Sequence, residues 1–322
     1  MSAPIDTLVT VFGGSGFLGR QVVRQLARRD YRIRVAVRRP DLAGHLQPLG
    51  RVGQIMPVQA NLRFPDSVAA AMRGAQIAIN LVGILAPSGR QSFAAVHARG
   101  AGTVAEAAAA AGARLIHVSA IGADAASGSA YARTKAEGEQ AARAAVPDAV
   151  VFRPSVVFGP DDQFTNRFAT LARMSPFLPL VGGGATRMQP VFVGDVAEAI
   201  AAAVEGRAQA GATYELGGPE VMTMREILAF ILRTIERERA LVTLPFALAR
   251  LQAYLLQFAP QPFTLTPDQV ELLRADNVVS EAARAAGLTL EGLGIAPEAM
   301  AAIAPGYLWR FRRAGQFQNT RT

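Results

Sequence analysis

The chain has 322 residues, of which 51% are hydrophobic, and its formal net charge is +8. It contains no cysteine and three histidines, which excludes disulfides and thiol catalysis and leaves little material for a metal site. Scattered arginines without a nucleic-acid-binding motif predict no nucleic-acid partner, so the charge suits an acidic protein or anionic lipid. We expect no signal peptide, because residues 1–6 are few, uncharged at their start and lead straight into the first predicted strand. We expect no transmembrane helix, because no uncharged apolar run reaches about 18 residues.

A glycine-rich turn lies close to the start of the chain. The apolar run at 7–12 predicts a buried parallel strand and leads directly into Gly13-Gly14-Ser15-Gly16-Phe17-Leu18-Gly19. Helical periodicity follows, and residues 32–37 predict a second strand. In such a unit the glycines allow a tight turn and close approach to a pyrophosphate, which the helix N-terminus binds. We therefore expect cofactor contacts from Gly13, Ser15, Gly16, Phe17 and Leu18.

The end of the second predicted strand indicates which cofactor binds. An NAD site places an acidic residue there to bind the adenosine 2'-hydroxyl, but this chain has Arg38 and Arg39. Guanidinium groups pair with phosphate. The sequence therefore favours NADP(H), NADPH over NADH, with Arg38 the stronger candidate of the two; the alternative is an exposed loop in an arginine-rich protein.

Strands and helices alternate through the first half, which predicts an α/β fold with a Rossmann-like, doubly wound parallel sheet. Further strands are predicted at 54–59, 75–82, 114–119 and 149–152, and helices at 65–73 and 92–111. Proline- and glycine-rich segments mark a different pattern beyond Pro154. We predict an NADP(H)-binding domain at 1–155, to which 190–213 return. A smaller, mainly helical C-terminal lobe for substrate or partner comprises 156–189 and 214–322.

Lys135 is the one lysine among 33 Lys and Arg residues, and it follows Tyr131 by four positions. On a helix this spacing places both side chains on one face. The ammonium can then bind a cofactor ribose and lower the pKa of the phenol, which makes Tyr131 a candidate proton donor or acceptor. The alternative is a solvated lysine on an ordinary helix face.

Several motifs together resemble the extended and atypical short-chain dehydrogenases over nearly the whole chain. They are the glycine turn, Tyr131-x-x-x-Lys135, and the segments after the third, fourth and sixth strands. The branch most similar is the nucleotide-binding accessory subunit of respiratory complex I with its bacterial relatives, through residues 117–124, 131–139, 192–197 and 276–279. The resemblance implies further cofactor contacts at Asn61, Leu62, Leu81, Val82, Gly83, Ser119, Tyr131, Lys135, Pro154, Ser155 and Val157.

The resemblance also implies bound NADPH that serves structure or assembly, with complex I subunits as partners. The expected location is cytoplasmic, peripheral at the cytoplasmic face of a bacterial inner membrane. Active family members place a serine or threonine shortly after the fifth strand, but here Ala120 and Ile121 occupy those positions. Ser119 joins Tyr131 and Lys135 as a catalytic candidate, and Ser127 or Ser129 could substitute for it. None of the three histidines is a predicted catalytic residue.

Two C-terminal features suit a partner surface. Residues 244–258 are strongly apolar at helical spacing, which indicates either a core helix over a substrate pocket or an interfacial helix that meets lipid or protein. Residues 309–313 mix aromatic and cationic side chains, which suits a partner protein or lipid headgroups.

Three function classes follow from these observations. The first is an NADP(H)-binding accessory or assembly subunit of complex I. The second is an NADP-dependent reductase, dehydrogenase or epimerase that uses Tyr131 and Lys135 on a hydrophobic or isoprenoid-like substrate. The third is a regulator that senses NADP(H).

Overall fold

The computed structural model describes residues 4–260 and 262–313. Within them the strands are β1 Leu8–Phe12, β2 Arg32–Val37, β3 Ile55–Gln59, β4 Ile77–Asn80, β5 Arg114–Val118, β6 Val150–Pro154, β7 Val157–Phe158, β8 Phe177–Val181, β9 Arg187–Met188, β10 Val191–Phe192, β11 Thr213–Leu216, β12 Met222–Thr223 and β13 Ala240–Leu244. The helices are α1 Phe17–Arg28, α2 Pro65–Met72, α3 Gly100–Ala110, α4 Ala130–Ala145, α5 Thr165–Met174, α6 Val193–Val204, α7 Met224–Thr234, α8 Phe246–Leu256, α9 Pro267–Leu272, α10 Glu281–Ala285, α11 Met300–Ile303 and α12 Pro305–Leu308. Short 3-10 turns lie at Pro4–Asp6, Pro40–Leu42, Gly44–Leu49, Gly182–Gly184, Glu291–Leu293 and Trp309–Phe311, and a π-helical turn lies at Ala94–Arg99.

A parallel sheet forms the core of the first half. Among the described residues its seven strands run in the order β11-β6-β5-β4-β1-β2-β3, and every neighbouring pair is parallel. Its central strands are apolar on both faces because helices cover both; Val9, Val11 and Phe12 of β1 are buried. The strand order reverses beside β1, where open α/β sheets bind ligands at the carboxyl ends of the strands. The predicted Rossmann-like fold is confirmed.

The described chain divides into two compact units. The first runs to Pro154 and includes Gly194–Leu216 and Ser280–Ala296. The second comprises Ser155–Val193, Gly217–Val279 and the described residues from Pro297. Residues 314–322 of the predicted lobe lie outside the described residues.

The boundaries of the first unit differ from the predicted 190–213 return. The returning segment extends to Leu216 and supplies the seventh strand, β11, which we did not predict. A second return at Ser280–Ala296 was also missed. It is held through Glu215 of β11, whose N–H donates to the Leu288 carbonyl at 3.0 Å and whose carboxylate accepts from the Ser280 N–H at 2.7 Å.

Two predicted elements of the first unit are shorter than their apolar runs. The predicted strand at 75–82 reduces to β4, because the Asn80 side-chain oxygen accepts the Val82 N–H at 3.2 Å and turns the chain away from the sheet. The predicted helix at 92–111 begins instead with the π-helical turn Ala94–Arg99 and becomes α-helical only in α3. Such wider turns often occur at functional sites.

The second unit has its own apolar core, around α5, α7 and the parallel pair β8 and β13. The C-terminal segment contributes to this core, and a partner surface at 309–313 stays a prediction because Arg310 and Arg313 are exposed. Phe311 is buried there, and Arg310 donates to the Pro160 carbonyl at 2.8 Å and to the Asn166 side chain at 2.7 Å. Arg312 pairs with Glu236 at 3.1 Å. These contacts fix three of the five residues in the fold.

Candidate functional site

The turn between β1 and α1 has a shape that only glycine allows. Gly13 has a φ of +81°, and a Cβ there would lie 3.2 Å from Val82 Cγ2. A Cβ on Gly19 would lie 2.3 Å from the Gly13 carbonyl oxygen, so α1 can approach the turn this closely only with glycine at that position. Gly16 is the N-cap of α1 and offers no side-chain hydrogen bond. The first-turn N–H groups at Phe17 and Leu18 therefore suit an anion such as a diphosphate.

Arg38 and Arg39 differ in their surroundings. Arg38 is exposed just after β2, and its side chain makes no hydrogen bond or ion pair with the part of the chain that the structure describes. Arg39 forms an ion pair with Asp41, with Nη2 and Oδ2 2.6 Å apart. Because Asp41 already neutralises Arg39, Arg38 is the more available cation for a phosphate.

Asn61 follows β3, on the same edge of the sheet as Arg38. Its side-chain oxygen accepts the Arg63 N–H at 3.2 Å, and its amide nitrogen has no hydrogen-bond partner among the described residues. The amide is thus positioned as a donor for a base edge. Leu62 packs beside Gly100, where a Cβ would lie 3.0 Å from its Cδ1.

The segment after β4 brings the glycine turn and the Tyr131 helix to one place. The Leu81 N–H donates to the Phe12 carbonyl at 3.0 Å, and Val82 borders Gly13. A Cβ on Gly83 would lie 3.5 Å from Lys135 Nζ. The structure therefore joins the predicted contacts after β1 and β4 to Lys135.

Tyr131 and Lys135 lie on one face of α4. Lys135 Nζ is 5.9 Å from the centroid of the Tyr131 ring and donates to the Val118 carbonyl at 3.2 Å. Lys135 is 6% exposed, and this burial lowers its pKa to about 8, while the Glu139 carboxylate one turn further on opposes the shift. A lysine so placed is fixed in position and retains hydrogen-bonding capacity for a ribose.

The hydroxyl groups near Tyr131 are less favourable for catalysis. Ser119 directly follows β5 and is buried, with an Oγ that makes no hydrogen bond to any described residue. The next two positions are Ala120 and Ile121, which have no hydroxyl. Ser129 accepts the Ala132 N–H as the N-cap of α4, and Ser127 accepts the Ser129 N–H, so both hydroxyl oxygens have a structural role at the start of that helix.

His97 is a site residue that the sequence did not indicate. Its ring meets the Tyr131 ring edge-on with centroids 5.2 Å apart, and Nε2 accepts the Ile84 N–H at 3.0 Å. The Thr134 hydroxyl lies 2.8 Å from the Ala130 carbonyl, to which it donates, so it accepts from Nδ1–H of His97 at 3.3 Å. Burial, with Lys135 nearby, lowers the His97 pKa to about 3. His97 is therefore neutral in one fixed tautomer.

The two remaining histidines lie in different surroundings. His117 is 3% exposed inside β5, where its Nδ1 lies 3.2 Å from the Asn80 amide nitrogen. Burial lowers its pKa to about 3, and the nearby positive charges of Lys135 and Arg143 contribute less to the shift. His45 is exposed in the 3-10 turn Gly44–Leu49.

The three predicted contacts after β6 have other partners. The Pro154 carbonyl accepts the Ile121 N–H at 3.0 Å. The Ser155 hydroxyl lies 2.6 Å from the Asn277 side-chain oxygen and accepts the Gln189 N–H at 3.2 Å. Val157 pairs with Val191 between β7 and β10. Ser155 therefore has a structural role in the second unit whatever else it binds.

Two other kinds of site are absent from the described ranges. No group of three or more His, Cys, Asp or Glu side chains could hold a metal ion in residues 4–260 and 262–313. No helix in those residues is both long and apolar enough to cross a bilayer.

The fold and the site together define a dinucleotide-binding protein of the short-chain dehydrogenase type. The model of the NAD dependent epimerase/dehydratase family matches residues 9–217, and the chain belongs to that family. It is 35% identical over 320 residues to NADH dehydrogenase (ubiquinone) 1 alpha subcomplex subunit 9 of Arabidopsis thaliana mitochondria, covering 96% of this chain and 79% of that protein. By its name, this relative is a subunit of the mitochondrial NADH dehydrogenase (ubiquinone).

Two further comparisons extend this result. A ceramide reductase of Caulobacter vibrioides is 37% identical over 202 residues, which cover 63% of this chain and 62% of that protein. The crystal structure of UDP-glucose 4-epimerase from Thermotoga maritima superimposes with a TM-score of 0.68 over 96% of this chain and 100% of that chain. At 16% identity the latter shows a shared fold alone.

Proposed function

We propose that this protein is an NADP(H)-binding accessory or assembly subunit of respiratory complex I, in which the cofactor is mainly structural. The observation that carries the proposal is the contrast within the site. The site suits a dinucleotide through the glycine turn after β1, the exposed Arg38 and the buried Lys135. By contrast, Ala120 and Ile121 lack the hydroxyl that would polarise a substrate carbonyl. The similarity to a complex I subunit over 96% of the chain supports the choice of partner.

The bound cofactor would stabilise the folded state of the protein. The residues that would hold it come from the ends of four strands, β1 to β4, and from α4, so one bound molecule would link segments that are distant in sequence. A ligand that binds only the folded state stabilises it by about 2.7 kcal/mol at a hundredfold excess over Kd. When bound, the dinucleotide supplies hydride chemistry, but this proposal needs only its binding energy.

The experiment compares two variants in the native organism. We expect Tyr131→Phe to leave complex I assembly intact, because a structural cofactor does not need the phenol proton. Arg38→Asp changes an exposed side chain, and we expect it to reduce both bound NADPH and the amount of assembled complex I. Native electrophoresis of membranes solubilised in mild detergent measures assembled complex I, and the nucleotide released from the purified protein on denaturation measures bound NADPH. The proposal fails if complex I assembles normally without the protein.

A second function has its own supporting observation. Tyr131 and Lys135 are both present and adjacent, and the Caulobacter relative is named a ceramide reductase, so an NADP-dependent reductase acting on a hydrophobic lipid-like substrate is the alternative. It predicts an NADPH-dependent reduction that Tyr131→Phe abolishes.

For location, we propose peripheral attachment at the cytoplasmic face of a bacterial inner membrane. A complex I partner and the excess of cationic over acidic residues, 33 against 25, both favour an anionic membrane surface.

A further inference from the structure

Helix α8 in the second unit buries small side chains and exposes large apolar ones, which is the opposite of an ordinary surface helix. Its buried residues are the small side chains of Ala249 and Ala253, which pack against Val270 of α9. Most of its large apolar side chains face solvent, although Phe246 is partly buried against the same residues: Leu251 is 67% exposed, Leu255 78%, and Phe258, just past the helix, 85%. A surface helix normally buries its large apolar residues and exposes polar ones.

The exposed side chains form one continuous stripe. Leu248, Leu251, Leu255 and Phe258 occur at i, i+3, i+7 and i+10, which places them along a single face of a helix. Tyr254 is half exposed at the side of this stripe. We call these five residues the α8 stripe. Singly exposed leucines are ordinary, but a contiguous set of this size marks a binding surface.

The charges around the α8 stripe indicate its partner. Residues 240–263 contain one charged side chain, the exposed Arg250, and no acidic one. Neighbouring α9 carries two acidic side chains, Asp268 and Glu271, and Glu271 forms an ion pair with Arg274 just beyond that helix at 3.0 Å. A tyrosine and an arginine beside a leucine and phenylalanine face are typical of helices that lie in the headgroup region of a bilayer.

The size of the surface argues against a protein partner. Eleven helical residues extend only about 16 Å. Stable protein interfaces involve roughly 20–30 residues on each side. A bilayer needs no complementary shape and accepts a short apolar ridge.

We infer that the α8 stripe is a membrane-docking surface that inserts its apolar side chains into the interface of an anionic bilayer, with Arg250 at the headgroups. This inference rests on the peripheral membrane location proposed above and identifies the element responsible. It holds for the accessory subunit and for a reductase of lipid-like substrates alike, because both would work at a bilayer surface.

The test uses the purified full-length protein and two kinds of vesicle, one of phosphatidylcholine alone and one with about 30% phosphatidylglycerol. The anionic lipid gives the second kind a negative surface. We expect binding to the anionic vesicles in sedimentation. Leu251→Ser with Leu255→Ser should weaken it about tenfold or more, because both side chains lose their apolar burial. The matched control is Val52→Ser with Met56→Ser, two exposed apolar residues of the first unit, which should leave binding unchanged. Arg250→Gln should reduce the preference for anionic vesicles.

The other outcomes overturn the inference. If the wild type ignores vesicles and the Leu251/Leu255 variant loses a purified complex I partner instead, the stripe is a protein interface. If the wild type is a dimer and that variant a monomer, the stripe binds a second copy. Because the vesicle assay contains no complex I, failure here leaves the proposed subunit function standing.

Discussion

His97 and Tyr131 are in edge-to-face contact, with ring centroids 5.2 Å apart and ring planes at 88°. The histidine cannot rotate or accept a proton without losing the hydrogen bond from the Ile84 N–H. It therefore fixes one side of the Tyr131 ring and the chain after β4 at the same time. Gly138 of α4 allows this packing, since a Cβ there would lie 2.2 Å from the His97 carbonyl oxygen.

We expect His97→Leu to destabilise the protein by about 1–3 kcal/mol, because the part-buried Ile84 N–H loses its acceptor. Cofactor retention should fall with it, since Gly83 and Tyr131 lose their support. Urea unfolding and the NADPH content of the purified protein measure the two effects. The matched control is His45→Leu at an exposed histidine. Equal stability of the two variants would show that the His97 contact is incidental.

Arg38 is expected to set the preference for NADPH over NADH. A charge-assisted phosphate contact contributes roughly 1.5–3 kcal/mol, so the wild type should favour NADPH about tenfold or more, and Arg38→Asp should remove that preference. Arg39→Gln should have a smaller effect, because Asp41 already pairs with Arg39. Titration of each protein with both cofactors gives the ratios. Equal affinity of the wild type for the two would contradict the assignment.

Lys135→Arg should impair cofactor retention although it keeps the charge. The lysine is buried, and its ammonium lies between the Val118 carbonyl and Gly83, where a planar guanidinium does not fit. Bound NADPH and melting temperature measure the loss. Arg24→Lys on the exposed face of α1 is the control for exchange of the two cations. A fully loaded, equally stable Lys135→Arg protein would mean that the single lysine has no special role.

The free energy of unfolding should decrease as the pH is lowered from 7.5 to 5.5. Burial holds the pKa of both His97 and His117 at about 3 in the folded protein, against about 6.5 in the unfolded chain. The unfolded state therefore gains protons first as pH falls, and the pair should cost about 3 kcal/mol over this interval. Urea unfolding at the two values tests this, and His97→Asn should roughly halve the loss. Lys135 acts above this range: its lowered pKa of about 8 makes stability rise with pH between about 8 and 10.5.

Local sequence pattern predicted six of the seven strands of the sheet and the glycine turn between β1 and α1. The apolar runs of β1 and β2, the glycines between β1 and α1, and the four-residue spacing of Tyr131 and Lys135 each depend on neighbours along the chain. Hydrophobic periodicity and turn residues predict such short-range features from the sequence alone. The fold class followed from the order of those elements.

Only the tertiary structure decided which distant residues meet. The place of His97 against Tyr131 depends on a π-helical turn packed on α4. The seventh strand and the returning segment Ser280–Ala296 depend on contacts between residues more than sixty positions apart. The outward orientation of the α8 stripe was equally hidden, because a run of leucines has the same pattern whether its face is buried or exposed. Burial is set by what packs against an element, and a single sequence does not contain that pairing.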